Sequence, residues 1–232
     1  MKLLSQITSL TLATTLGFSS IALAQSEVTQ QRQKVERPRL TQEGFTASVY
    51  YNTMNQLKAD KDIEYDIGFT TARVKNLTFE AEQSPGIFLG YQQRPLEGFG
   101  FMLGGYIEKE RKLTKATFDI EVSGIPTTVP WKQSTEMTLQ QWGFEGNLIY
   151  SANQIYFPFG VHIPVVSIRG EGSTVTNQTG FGIQGGVGFQ PTDWIALEAG
   201  IRATAFSVKF DGAKENSSLA GSGFTLLTKF LF

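Results

Sequence analysis

Apolar and polar side chains alternate with a period of two in successive stretches of this chain, each about ten residues long. From Trp194 to Phe210, Ile195, Leu197, Ala199, Ile201 and Ala203 share one face, while Ala196, Glu198, Gly200, Arg202 and Thr204 share the other. The pattern recurs in Phe45, Ala47, Val49 and Tyr51, in Ile87, Leu89 and Tyr91, and in Phe99, Phe101, Leu103 and Ile107. It returns in Trp142, Phe144, Leu148 and Tyr150, and in Phe157, Phe159, Val161, Ile163 and Val165. Phe181 to Gln190 repeats it with Gly182, Gly186 and Gly188 on the polar side. The last stretch, from about Leu219 to Phe232, sets Phe224, Leu226, Phe230 and Phe232 opposite Lys229. Successive side chains of a strand point to opposite faces, so each stretch reads as a strand with one apolar and one polar or small face. Pro158 and Pro164 lie inside one of these strands and predict bulges there, because proline cannot donate to a ladder.

Which face is inside follows from what each face carries. A soluble antiparallel barrel or sandwich would turn glycines and Glu145, Glu198, Arg202 and Lys229 to water around an overlarge apolar core. The inverse arrangement fits better: an all-β, eight-stranded antiparallel transmembrane β-barrel, apolar outside and polar within. A composition with 41% hydrophobic residues, 18% charged residues and 24 glycines is too polar for helical spans and too glycine-rich for a helical bundle. The mean hydropathy of -0.12 resembles a soluble protein because the two strand faces average out.

The connections set the orientation. Arg94 to Glu97, Ser151 to Asn153 and Pro191 to Asp193 read as tight turns, whereas Thr53 to Gln83, Leu113 to Thr135, Arg169 to Thr179 and Asp211 to Ser218 are longer and polar. Barrels of this type keep short turns on the periplasmic side and long loops outside, so these four are expected to face outward. Phe118, Ile120 and Val122 still alternate inside the second, which extends that hairpin above the membrane. The first is long enough to hold another hairpin around Tyr65 to Phe79, which would raise the count to ten strands.

Residues 1–24 read as a secretory signal: Lys2 is basic, Leu10 to Ile21 is mostly apolar or small, and Ala22-Leu23-Ala24 fits peptidase cleavage before Gln25. Residues 25–43 are polar without apolar periodicity and are expected to form a periplasmic tail ahead of a barrel over 44–232. A net charge of -1 gives nucleic acid no basic field to bind. The absence of cysteine removes thiolate chemistry and disulfides, and the single histidine, His162, cannot make a histidine-rich metal site. No cofactor is implied.

The chain ends in Phe232, with Phe230, Leu226 and Phe224 at alternate positions before it. This ending resembles the assembly signal of bacterial outer-membrane proteins. The stretch from Gly185 to Arg202 is similar to the turn that joins a glycine-rich strand to one with an inward acid and arginine in small outer-membrane barrels. From Gly44 to Phe232 the chain resembles that family, which includes OmpA-type transmembrane domains and opacity-type proteins. The resemblance implies the bacterial outer membrane, lipid and lipopolysaccharide as surroundings, and the barrel assembly machinery as a partner of the last strand. It also implies a structural or surface-display role such as adhesion or host contact, with an external ligand reached through the loops. No peptidoglycan-binding domain is expected after the last strand.

Glu198 and Arg202 fall four apart on one face, and Glu145 and Lys229 point inward by the same parity. An eight-stranded barrel is only wide enough for its own side chains, so these charges are expected to form a structural network rather than an ion path. Some small outer-membrane barrels are lipid A acylases or deacylases using histidine and serine. His162, between Val161 and Ile163 and without a serine two residues away, does not fit that chemistry. The expectation is therefore a non-enzymatic barrel, with a narrow pore or transporter as the alternative and a lipid-modifying enzyme third.

Overall fold

The structure, a computed structural model, describes residues 42–126, 131–170 and 175–232, so the expected signal peptide and nearly all of the expected tail lie outside the described residues. The strands are β1 (Gln42–Asn52), β2 (Gln56–Ala59), β3 (Ile63–Ile67), β4 (Thr70–Ala81), β5 (Ser84–Arg94), β6 (Glu97–Glu108) and β7 (Arg111–Val122). They continue as β8 (Ile125–Pro126), β9 (Trp131–Ala152), β10 (Ile155–Arg169), β11 (Val175–Thr192), β12 (Ile195–Val208) and β13 (Ser217–Leu231). β1 begins two residues ahead of Gly44, where the barrel was expected to start.

β1, β5, β6, β9, β10, β11, β12 and β13 pair in that order, all antiparallel. β1 then closes the ring on β13, from Thr46↔Leu231 to Asn52↔Thr225. Closure satisfies the ladder groups that an open edge would leave bare in lipid. The outward residues form a continuous apolar band that includes Phe45, Leu89, Leu103, Phe144, Val161 and Phe224, all exposed. Aromatic rings gather toward the short-turn end, where Phe45 and Tyr91 meet edge to face at 6.0 Å and Phe99 lies 5.2 Å from Tyr150.

Three of the staves continue past this ring after short breaks. β2 prolongs β1, β4 precedes β5 on the same stave, and β7 prolongs β6. Asn52↔Ser84 is followed by Gln56↔Glu80, four residues on along each chain, so the register crosses the gap unbroken. With the upper parts of β9 to β13, these segments form a second ring in the order β2, β4, β7, β9, β10, β11, β12, β13. β9 is 22 residues long, whereas a tilted strand needs only about 9–11 to cross a bilayer. The barrel thus has a lower storey in the membrane and an upper storey beyond it.

The two storeys bury opposite kinds of residue on the same strands. In β12, Leu197 and Ile201 face out while Glu198 and Arg202 face in; farther along, Phe206 and Val208 face in while Ser207 and Lys209 face out. The β12–β13 register runs unbroken from Ile195 to Val208, so the chemistry changes and the parity does not. β10 changes likewise, from outward Val161 and Ile163 to inward Val166 and Ile168. Lipid surrounds the lower wall and water the upper one, so the apolar side chains are stable outside below and inside above. The upper interior is an apolar core in which Leu57, Leu113, Leu139, Ile168, Phe206 and Leu219 are buried.

Several expectations are corrected here. The first two long connections are mostly strand, because their apolar alternation feeds the upper core: Thr53 to Gln83 contains β2, β3 and β4, and Leu113 to Thr135 lies mostly within β7, β8 and the start of β9. The hairpin foreseen near Tyr65 to Phe79 exists as β3 and β4, yet the ring keeps eight staves because β4 shares a stave with β5. Pro158 and Pro164 produce no bulge. The β9 ladder passes both in continuous register, while on the β11 side the pairs at Phe157–Pro158 and Ile163–Pro164 are missing without a shift. The β10–β11 register shifts higher up, between Val166 and Ile168. Two tight turns lie a residue or so later than expected, at Asn153-Gln154 and Asp193-Trp194.

Candidate functional site

The lower lumen is filled by charged side chains in three layers. Nearest the short turns, Arg94 is held at the end of β5, where it donates to the Gln190 side chain and, at 3.3 Å, to the Asn153 carbonyl. Its guanidinium stands 4.9 Å over the Tyr156 ring. In the next layer Lys229 Nζ donates to Glu198 at 3.1 Å, and the Tyr156 hydroxyl donates to the same carboxylate oxygen at 3.2 Å. Gly188 faces Tyr156 across the ladder, and the missing side chain leaves room for the ring to lie over the wall.

The third layer sits where the two storeys meet. Arg202 pairs with Glu145 and lies 3.7 Å from Glu108, which in turn pairs with Arg111. Asn52 donates to Glu108 at 2.9 Å, the Tyr50 hydroxyl does so at 3.3 Å, and Arg111 reaches the Met54 carbonyl at 3.0 Å. The Arg202 guanidinium is also 4.5 Å over Tyr106 and 5.5 Å over Tyr50. Two acids and two guanidiniums are thus charge-balanced at the base of the apolar core, as buried ions must be to offset their desolvation.

The structure brings Glu145, Glu198, Arg202 and Lys229 together as two pairs rather than one cluster: Glu145 with Arg202, and Glu198 with Lys229. Glu198 and Arg202 share a face of β12 and belong to different layers. Sequence reading missed Arg94, Glu108 and Arg111. Glu108 has the parity of inward Tyr106, but the run Glu108-Lys109-Glu110-Arg111-Lys112 reads as a solvated turn, and the strand break there hides that Arg111 returns inward beside Leu113.

A cavity of about 20 Å³, room for about one water, lies among Glu145, Asn147, Gln184, Glu198, Arg202 and Thr225. His162 does not line it; the imidazole is fully buried, 2.9 Å from the Thr204 hydroxyl and edge-on to Tyr106. Of the four residues named for the terminal pattern, Phe224, Leu226 and Phe232 are exposed on the outer face and Phe230 is half-buried. The Phe232 amide donates to the Phe45 carbonyl at 2.9 Å, tying the chain end to β1.

A closed antiparallel ring of eight, an apolar outer band, short turns at one end and a filled polar lumen define an outer-membrane-type β-barrel. Among solved structures the chain is similar to Neisserial surface protein A, NspA, at 18% identity, covering 82% of this chain and 97% of that one with a TM-score of 0.41. It is also similar to the outer membrane protein OprG from Pseudomonas aeruginosa, at 9% identity over 82% and 97% of the two chains, TM-score 0.37. Ail, the attachment invasion locus protein of Yersinia pestis, matches at 12% identity over 79% and 99%, TM-score 0.31. No protein-family model and no curated protein matches the sequence. The architecture rests on the strand pairing above and not on these likenesses.

Proposed function

We propose that the protein is a non-enzymatic, non-conducting barrel of the bacterial outer membrane whose upper storey is a stiff stalk for surface contact. The observation that carries this reading is the filling of both storeys, by ion pairs below and by an apolar core above. A conduit would need a continuous wetted path, and the apolar core stands across it. The charged layers act as lumen filling that fixes the barrel's cross-section. β13, with Phe224, Leu226 and Phe230, and Phe232 just after it form the segment that engages the barrel assembly machinery, and lipid with lipopolysaccharide surrounds the apolar band. The contact itself falls to the distal hairpins that the stalk carries, in the manner of an adhesin.

Reconstitution in planar bilayers tests this reading. The protein is expected to be silent and to run as a heat-modifiable band, and Arg202→Ala is expected to stay silent because the core above it is untouched. Reproducible conductance that changes with Arg202→Ala would transfer the assignment to a narrow pore.

A further inference from the structure

The most distal described part of the molecule is a tongue formed by β3, β4, β7 and β8 above the upper ring. Its tip joins two turns. Thr70 and Ser123 are hydrogen-bonded through their hydroxyls, and the Ser123 amide donates to the Thr71 carbonyl at 3.2 Å, so the turns move as one. Four apolar side chains project from it into solvent: Ile67, Phe69 (fully exposed at 112%), Val122 and Ile125 (74%). Gly68 and Gly124 adopt φ of +64° and +79°, which lets both turns fold tightly enough to push the neighbouring side chains outward.

We propose, building on the surface-contact reading, that this tip inserts into the surface of an apposed zwitterionic lipid bilayer. Three observations favour lipid as the occupant. The tip is convex, and the recess beside it, among Glu64, Thr71, Arg73 and Glu121, is polar and charged, so no apolar groove awaits a protein side chain. Neither turn carries a charge from Ile67 to Thr71 or from Val122 to Pro126, and the turns tie polar groups to each other, as insertion into a bilayer requires. Directly behind it the cations are held in ion pairs: Arg73 with Glu64 at 2.7 Å, Lys214 with Asp66 at 2.7 Å, and Lys75 with Glu121. Two further acids of the tongue, Asp62 and Asp119, leave it with an anionic excess, which turns away an anionic surface and leaves a zwitterionic one, since anionic lipid calls for a cationic excess.

The test is flotation of the protein, folded in nanodiscs, with large vesicles of pure phosphatidylcholine. The nanodiscs are expected to float with the vesicles in low and high salt alike. Phe69→Ser combined with Ile125→Ser is expected to lower the bound fraction about tenfold or more, as losing that much apolar burial implies. Lys58→Ala, an exposed change on the stalk, should leave it unaltered. Failure of the heat-modifiable protein to float, loss of binding in high salt, or indifference to the double substitution would each overturn the tip contact. The surface-contact reading falls separately, on bilayer conductance.

Discussion

Gly182 stands across the β10–β11 ladder from His162, and a methyl group added to it would lie 2.1 Å from the imidazole ring. Gly86 meets Tyr50 closely as well, and Gly188 meets Tyr156, so large inward side chains lie over glycine on the neighbouring strand. Gly182→Ala is expected to cost about 1–3 kcal/mol, the usual range for overpacking, measured by urea unfolding in lipid vesicles. Gly105→Ala, whose added methyl meets nothing closer than 3.6 Å, should leave the midpoint unchanged.

The Lys229–Glu198 pair is expected to respond asymmetrically to substitution. Lys229 is fully buried and Glu198 is 10% exposed, so Lys229→Met alone leaves a carboxylate in the lumen without its cation. That single change should cost about 3–5 kcal/mol, and adding Glu198→Gln should recover most of it. A double-mutant cycle on the unfolding midpoint checks this; equal losses in the single and double variants would contradict the pairing.

The upper storey should fail on its own. Leu139 has no exposed surface in the apolar core, and Leu139→Asp would set an unpaired charge there. Limited trypsin digestion is then expected to cut at Lys112, Arg169 or Lys209 in the variant and to spare them in the parent protein. The surviving lower fragment should still change mobility on heating, because its own contacts are untouched.

The tongue should loosen in acid. The hydrogen bond from Lys75 holds the Glu121 carboxyl below its ordinary value, and the same contact holds the Lys75 ammonium above its own. For a depressed acid, the stabilisation is present above the ordinary glutamate value and fades as pH falls through the lowered one. Amide protection in β4 and β7, with exchange referred to the intrinsic rate at each pH, should therefore fall as pH drops through that acid range. Lys75→Met should move the Glu121 titration, followed by NMR, upward.

Much of the lower storey is legible in the sequence, since lipid on one side and a packed polar lumen on the other impose period two on every stave. Glu145, Glu198, Arg202 and Lys229 could be placed by parity alone. The upper storey was hidden for a physical reason. Phe206 and Val208 sit on the face of β12 that Glu198 and Arg202 had marked as polar, and Phe210 just beyond the strand is buried in the same phase. A reader who assigns one chemistry to each face stops at Thr204, although the change of phase is visible two residues later. The same error turns β2, β4 and β7 into loops. Proline was misjudged because a bulge was assumed: Pro158 and Pro164 turn their donor-less nitrogens to the same neighbour, where the wall forgoes a few pairs and keeps its register.

The reversal of polarity partway up each stave gives the molecule a waterline. Above Ile163 and Ile201 the outer surface turns to Arg169, Ser207 and Lys209, so sinking would drag charge into hydrocarbon and rising would bare leucine and phenylalanine to water. The barrel therefore floats at one depth. Because the stalk is built from the same continuous strands, its tip keeps a constant clearance from the membrane, on the order of 30 Å for some fifteen tilted residues. Whatever the tip touches must come to that distance, and the lattice of paired strands, rather than a flexible tether, sets the gap.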